Sequence, residues 1–111
     1  MPRESRVYLE DVLEAIGRIE DYCRGLDRSS FGKEPKTVDA VVRNLEIIGE
    51  AVKRVPEGVK SEHPEVEWRK IAGLRDLLIH DYARVDLEIV WDVLASKLPV
   101  LKEQARRILS G

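Results

Sequence analysis

The stretch TVDAVVRNLEIIGEAVKRV, residues 37–55, decides the fold class of this chain. Its apolar residues recur at steps of three and four, which is the period of one face of an α-helix. These residues are Val38, Val41, Val42, Leu45, Ile48, Val52 and Val55. Ile47 and Ala51 widen the apolar stripe, so we expect this helix to be buried on more than one side. Thr37 is a suitable N-cap, and Pro56 marks the end of the helix.

Three further stretches show the same period. Residues 6–24 predict a first helix, residues 66 to 79 or 82 a third, and residues 87–108 a fourth. Asp86 can cap the fourth helix, and Pro99 predicts a kink in it or a division into two helices. No segment shows the alternation that is typical of a β-strand. The predicted fold is therefore an all-α, up-and-down bundle of four to five helices.

The sequence also predicts two loops and a possible contact surface on the fourth helix. Residues 27–36 contain Gly, Pro and Ser and predict a loop from which Phe31 returns to the core. The connection after the second helix runs to about Glu65 and contains His63, which we expect to be solvated. Apolar residues also lie outside the narrow stripe of the fourth helix, and their simplest use is contact with a partner subunit. They are Val90, Val93 and Val100.

Composition limits the class of protein. The 111 residues, 43% of them hydrophobic and 36% charged, suit a single helical domain, residues 1–111. A net charge of −2 argues against nucleic-acid binding through a broad basic surface, but not against a local basic pocket. Cys23 is the single cysteine, which leaves no intramolecular disulfide and predicts a small core side chain. Without an apolar run of 18 residues or a signal peptide, we expect a cytoplasmic protein with no membrane contact.

The stretch GLRDLLIHDY, residues 73–82, holds the side chains suited to chemistry. Arg75 can bind a phosphate through two hydrogen bonds, and His80 can take and give a proton near neutral pH. On one helix, Tyr82 would share the face of Arg75, and His80 would lie roughly 140° around it. Gly73 would let another helix approach closely. The pair suggests phosphodiester chemistry, although a surface arginine and a helix-terminal histidine have the same spacing.

Several blocks of the chain, in order, resemble the HepT-like branch of the HEPN superfamily. They are DAVVRNLEIIGEAVK (39–53), WRKIAGLRDLLIHDY (68–82), VDLEIVW (85–91) and the Leu-Pro pair at 98–99. The resemblance extends from about residue 7 to 109. Members of this branch are the toxin half of bacterial and archaeal toxin–antitoxin pairs of the MNT/HepT type. Separate blocks in the right order are far more specific than one spacing.

This resemblance implies a helical bundle that forms a homodimer or a larger assembly, with the Arg-x4-His segments of two subunits facing one cleft. It implies a metal-independent endoribonuclease that acts on RNA without a cofactor. Arg75 and His80 fall on the catalytic positions, and Asp76 fits the polar residue commonly found after the arginine. Two second-helix residues match the family signature and are expected to support the site. They are Arg43 and Asn44.

The resemblance also extends to a longer motif, Arg-x4-His-x-Tyr, that includes Tyr82. In that form a partner MNT-type nucleotidyltransferase antitoxin, using ATP, adenylylates the tyrosine, which defines a type VII toxin–antitoxin system. Added phosphate on Tyr82 would place negative charge near Arg75, where the RNA phosphate must lie. Charge and bulk would then inhibit cleavage.

Metal-free cleavage of RNA needs three tasks. The 2′-hydroxyl must lose its proton, the extra charge on phosphorus must be stabilised, and the leaving 5′-oxygen must be protonated. His80 can perform the first or the last task, and Arg75 the second. Because one chain offers one plausible histidine, a two-fold dimer would supply His80 from each subunit. A nearby Arg75 should favour the neutral imidazole, and the products would be a 2′,3′-cyclic phosphate and a 5′-hydroxyl.

Other classes remain open at this point. The chain could be a non-catalytic interaction module that binds a nucleotidyltransferase through its helices, or a plain structural helical dimer. A metal enzyme is least favoured, because the two histidines are 17 residues apart and one lies in a predicted loop.

Overall fold

The computed structural model describes residues 1–80 and 84–111. Within them the elements run α1 (Arg3–Tyr22), α2 (Arg28–Phe31), α3 (Pro35–Arg54), α4 (Glu57–Glu62), α5 (Trp68–Ala72), α6 (Leu74–Leu78), β1 (Ile79–His80), β2 (Arg84–Val85), α7 (Leu87–Asp92), a π-helical turn (Val93–Lys97) and α8 (Leu98–Ser110). The predicted all-α class is confirmed, with one pair of two-residue strands as the departure among the described residues.

The long helices α1, α3 and α8 form the scaffold of the fold. Helix α1 packs against both α3 and α8, and α3 also contacts α5 and α6. Every member of the stripe predicted on α3 is buried, and Leu45 and Ile48 are fully so. Phe31 returns to the core as expected, with its ring centroid 5.4 Å from that of Trp91. The apolar periodicity of the sequence therefore specifies this part of the molecule.

Helix ends follow local rules that the sequence shows in part. Helix α3 begins at Pro35, not after Thr37, because proline fits the first helical position, where its missing amide costs nothing. The predicted cap at Asp86 is confirmed, since its carboxylate accepts hydrogen bonds from the amides of Glu88 and Ile89 at 3.1 and 3.2 Å. The division expected near Pro99 is also confirmed, as the π-helical turn separates α7 from α8.

Two predicted loops contain short helices instead. Asp27 accepts a hydrogen bond from the amide of Ser30 at 2.8 Å, and the Ser30 hydroxyl accepts one from the Asp27 amide at 2.9 Å. This reciprocal capping box starts α2. In the next connection, the buried Val59 anchors α4 to the core. These helices contain four and six residues, which is too few for an apolar periodicity to show in the sequence.

The helix predicted from residue 66 to 79 or 82 is wrong as one element. It breaks at Gly73 into α5 and α6, and α6 ends at Leu78. Residues 79 and 80 then pair antiparallel with residues 85 and 84. The amide of Asp86 donates a hydrogen bond to the carbonyl of Leu78 at 3.0 Å, which joins the strand pair to the end of α6. Tyr82 lies outside the described residues.

Close helix approach occurs at a glycine other than the predicted one. A Cβ atom on Gly73 would meet only its own preceding turn, whereas one on Gly49 would lie 3.2 Å from the Ile71 carbonyl oxygen. Gly49 therefore sets the separation of α3 and α5. Val90 and Val93 are buried within this one chain, so their assignment to a partner surface is wrong.

Candidate functional site

Two buried leucines hold helix α6 against the core, and its polar side chains face solvent. Leu74 and Leu78 are buried, with 6% and 0% of their surface exposed. Arg75 lies between them and its side chain is 70% exposed. Because residues four apart share a helix face, the two leucines hold this face against the core and leave Arg75 accessible. Its guanidinium is therefore available to a ligand.

Arg75 borders an open groove of about 610 Å³ between α3, α1 and the α5–α6 segment. We call this the arginine groove. Its cationic lining residues are Arg43, Lys53, Arg54 and Arg75. Its acidic lining residues are Asp11, Glu46, Glu50 and Asp76. The formal charges of these lining residues cancel. A phosphate site in this groove would therefore depend on individual cationic side chains and not on a broad basic surface.

Glu46 faces Arg75 across the arginine groove. Its Oε2 lies 3.7 Å from Nε of Arg75, and its side chain is 31% exposed. No motif in the sequence selects Glu46. The available signal was its position three residues after Arg43, because that spacing places both side chains on one face of α3.

The two residues matched to the second-helix signature separate in space. Arg43 joins Arg75 in the arginine groove. Asn44 is 5% exposed and turns to α1, where its Oδ1 accepts a hydrogen bond from Nε of Arg18 at 2.8 Å. Its Nδ2 donates to the carbonyl of Ala40 at 2.9 Å. Both halves of the Asn44 amide are thus used in joining α1 to α3.

The backbone of His80 lies in β1, opposite Arg84, and not on the helix that carries Arg75. The expectation that both share one helix is wrong, because α6 ends two residues earlier. Chain continuity still keeps His80 near the anchor, since it follows the buried Leu78 by two residues. The other histidine, His63, ends α4, with Nδ1 3.4 Å from Oε2 of Glu65.

Perturbed titrating groups in the described chain lie away from the arginine groove. Burial raises the pKa of the Cys23 thiol, which packs half-buried at the end of α1. Hydrogen bonds and charge from Lys70 and Lys97 lower the pKa of Glu67. Among residues 1–80 and 84–111, no group of three His, Cys, Asp or Glu side chains is arranged to hold a metal ion.

A second groove, of about 800 Å³, is formed by α5, α6, α7, the π-helical turn and α8, and most of its exposed surface is apolar although charged side chains also line it. Leu77 and Val100, 53% and 56% exposed, are its most accessible apolar members. Asp76 borders both grooves. The polar and apolar surfaces therefore meet along α6. No helix of the described residues is long and apolar enough to cross a membrane.

The all-α fold and an exposed arginine five residues before a histidine agree with the class of RNA-cleaving enzymes that the sequence blocks indicate. The family described as "Ribonuclease HepT-like" matches residues 12–108, so the chain belongs to this family of RNA-cleaving enzymes. The resemblance drawn from the sequence blocks is confirmed.

Relatives support the same assignment. The chain is 43% identical over 108 residues to a Thermococcus cleftensis protein named "Probable ribonuclease HepT", covering 97% of this chain and 98% of the relative. It is 40% identical over 104 residues to a "Putative RNase" of Caldanaerobacter subterraneus subsp. tengcongensis, covering 94% and 93%. A "Putative RNase" of Methanocaldococcus jannaschii is 43% identical over 100 residues, covering 89% and 83%. No solved structure matches the chain.

Proposed function

We propose that this chain is a metal-independent endoribonuclease that uses Arg75 and His80 and serves as the toxin of a type VII toxin–antitoxin system. The observation that carries the proposal is the exposed guanidinium of Arg75, 70% accessible, on the polar edge of α6. It stands beside the arginine groove, five residues before His80. Family membership supports the reaction class, and the exposure of Arg75 supports its proposed role in binding phosphate.

Arg75 would stabilise the extra negative charge that develops on phosphorus. A guanidinium carries five donors in a fixed plane and a positive charge that suits a phosphate. Among the described residues, the carboxylate paired with it is that of the partly buried Glu46, and a contact as long as 3.7 Å leaves the guanidinium able to bind a phosphate as well. Arg43, in the same groove, would bind a neighbouring phosphate of the RNA.

His80 would act as base toward the 2′-hydroxyl, and His80 of a second copy would protonate the leaving 5′-oxygen. The attack forms the bond from the 2′-oxygen to phosphorus and breaks the bond from phosphorus to the 5′-oxygen. The scheme needs two histidines, and each chain contributes one, His80 of β1. A homodimer would therefore complete the site. No metal ion is required in this scheme, because protons and charge are handled by imidazole and guanidinium.

The catalytic part is tested by cleavage of a labelled RNA with purified Arg75→Ala and His80→Ala variants. We expect each change to lower kcat by at least about a hundredfold, the scale of losing one charge-stabilising or proton-transfer group. Arg24→Ala is the matched control, since Arg24 is also exposed and also paired with one carboxylate, Asp21 at 2.6 Å. Wild-type kcat in either site variant, with circular dichroism showing a folded chain, would contradict the proposal.

Tyr82 is proposed as the position that the partner nucleotidyltransferase antitoxin adenylylates, with ATP as donor. Its hydroxyl oxygen would attack the α-phosphorus of ATP, forming the AMP ester and releasing pyrophosphate. The test is mass spectrometry after incubation with that partner and ATP. One added AMP is expected on the wild type and on Tyr22→Phe, a control at the exposed tyrosine of α1. Modification that persists in Tyr82→Phe would exclude Tyr82 as the acceptor.

The apolar second groove favours one other function, a non-catalytic module that binds a nucleotidyltransferase. Leu77 and Val100 are exposed there, as expected for a contact surface. The same RNA assay separates the two functions. A folded wild-type protein that binds the partner but does not cut any RNA would favour the module.

A further inference from the structure

Glu46 is the acidic side chain that the structure brings against Arg75, and the reaction scheme leaves it without a task. The contact joins Oε2 of Glu46 on α3 to Nε of Arg75 on α6 at 3.7 Å. The Glu46 side chain is 31% exposed, so its base is held among neighbours while its carboxylate reaches the arginine groove. The Arg75 side chain is 70% exposed and would otherwise sample many rotamers.

A close helix contact fixes the distance between these two residues. Gly49 lies one turn after Glu46, and a Cβ atom there would come within 3.2 and 3.4 Å of the carbonyl oxygens of Ile71 and Ala72. Arg75 follows Ala72 by three residues. The backbones of α3 and α5 therefore meet at Gly49, and a long acidic side chain just before that point can reach an arginine just after it.

The side of the guanidinium that Glu46 contacts matters for phosphate binding. A guanidinium binds a phosphate through two parallel hydrogen bonds from one edge of its plane. Glu46 contacts the Nε side of the guanidinium, and this contact leaves the edge formed by the two Nη groups for a phosphate. A carboxylate held 3.7 Å from Nε attracts the guanidinium and so restricts rotation of the long side chain.

We infer that Glu46 is a positioning residue that orients the guanidinium of Arg75 so that its Nη edge faces the scissile phosphate. The inference rests on the proposed function, because it assigns a task through Arg75. It predicts a loss in kcat without a rise in KM. Removal of a competing carboxylate cannot weaken phosphate binding by Arg75, whereas a misaligned guanidinium stabilises the transition state less well.

The test is steady-state RNA cleavage by Glu46→Ala, Glu46→Gln and Arg75→Lys, and by the double variant of Glu46→Ala with Arg75→Lys. We expect Glu46→Ala to lower kcat about ten- to a hundredfold with KM unchanged or lower. Glu46→Gln keeps an acceptor for Nε and should retain part of that kcat. Lysine has no planar edge to orient, so Glu46→Ala should have no further effect on kcat in the Arg75→Lys background.

A matched pair outside the groove controls for the loss of a surface ion pair. Glu103 contacts Nε of Arg107 at 3.4 Å on α8, the same kind of contact as that of Glu46. Glu103→Ala should leave kcat, KM and Tm at wild-type values. The Tm of each Glu46 variant, from the circular dichroism signal, should also match the wild type, because exposed pairs add little stability.

The outcomes separate the inference from the proposed function. An inactive Arg75→Ala beside a wild-type kcat in Glu46→Ala overturns the inference alone. Equal losses from Glu46→Ala in the wild-type and Arg75→Lys backgrounds overturn it too, because Glu46 would then act independently of Arg75. A wild-type kcat in Arg75→Ala overturns the proposed function and the inference together.

Discussion

The scaffold of α1, α3 and α8 and the segment from residue 68 to 85 are built by different rules. The scaffold helices contain 20, 20 and 13 residues, so each apolar stripe repeats over several turns. The described residues of the segment, 68–80 and 84–85, include two five-residue helices and two two-residue strands. Such short helices are unstable alone and depend on tertiary contacts. The candidate catalytic residues therefore lie in the segment whose structure depends on contacts with the scaffold helices.

The largest expected effect contrasts a scaffold leucine with a segment leucine. Leu45→Ala removes a fully buried side chain from α3 and should cost about 2–5 kcal/mol of unfolding free energy, through lost burial and a cavity. Leu77→Ala, at a position 53% exposed, should cost less than about 0.5 kcal/mol. Urea denaturation measures both. Similar losses at both positions would contradict the contrast, and a concentration-dependent loss at Leu77 would show that a partner covers it.

The second prediction compares two glycines. Gly49→Ala forces a methyl group within 3.2 Å of the Ile71 carbonyl, and overpacking should cost about 1–3 kcal/mol, partly offset by better helix propensity. Gly17→Ala in α1 meets nothing within 4 Å and should stabilise the chain by about 0.5–1 kcal/mol. Thermal unfolding of both variants gives the comparison. An equal gain in both would show that α5 moves freely away from α3.

The third prediction concerns the cap that ends the segment. Asp86→Ala leaves two amides of α7 without their acceptor and should cost about 1 kcal/mol. Asp92→Ala, an exposed aspartate at the end of the same helix, should cost less than about 0.5 kcal/mol. Urea denaturation again provides the measurement. No difference between the two would mean that the cap contributes nothing to α7.

The smallest expected effect is a pH dependence at α2. Hydrogen bonds from Ser30 lower the pKa of Asp27 in the folded chain. Because this pKa is lower in the folded chain than in the unfolded chain, the ionised Asp27 stabilises the folded state. That stabilisation is complete above the unfolded pKa, about 3.9, and is lost as pH falls through the folded pKa. Asp27→Asn keeps an acceptor but does not titrate there. Between about pH 5 and about pH 2, the Tm of Asp27→Asn should fall less than the Tm of the wild type. Parallel curves of Tm against pH would contradict this prediction.

The sequence predicted the scaffold because periodicity and burial agree there. The α3 stripe, the return of Phe31 to the core, the Asp86 cap and the division near Pro99 are all found in the structure. The short helices were missed since four to six residues hold about one turn. The Asp27–Ser30 pair was the one local signal for α2.

The candidate site was predicted in composition but not in shape. Motif blocks selected Arg75 and Arg43, which the structure places in one groove. The continuous helix through His80 was wrong, because a strand pair and the bond from Asp86 to Leu78 depend on residues distant from the local pattern. Glu46 was missed for the same reason, since only the approach of α3 to α5 at Gly49 brings it to Arg75.

The most direct test of metal-free ribonuclease chemistry uses one RNA and one altered sugar. Purified wild-type chain is incubated in excess chelator with the mapped substrate and with the same RNA carrying a 2′-deoxy sugar at the cut site. The account predicts full cleavage of the first, with 2′,3′-cyclic phosphate and 5′-hydroxyl ends, and none of the second. Cleavage of the deoxy substrate, or loss of cleavage with chelator, would contradict it.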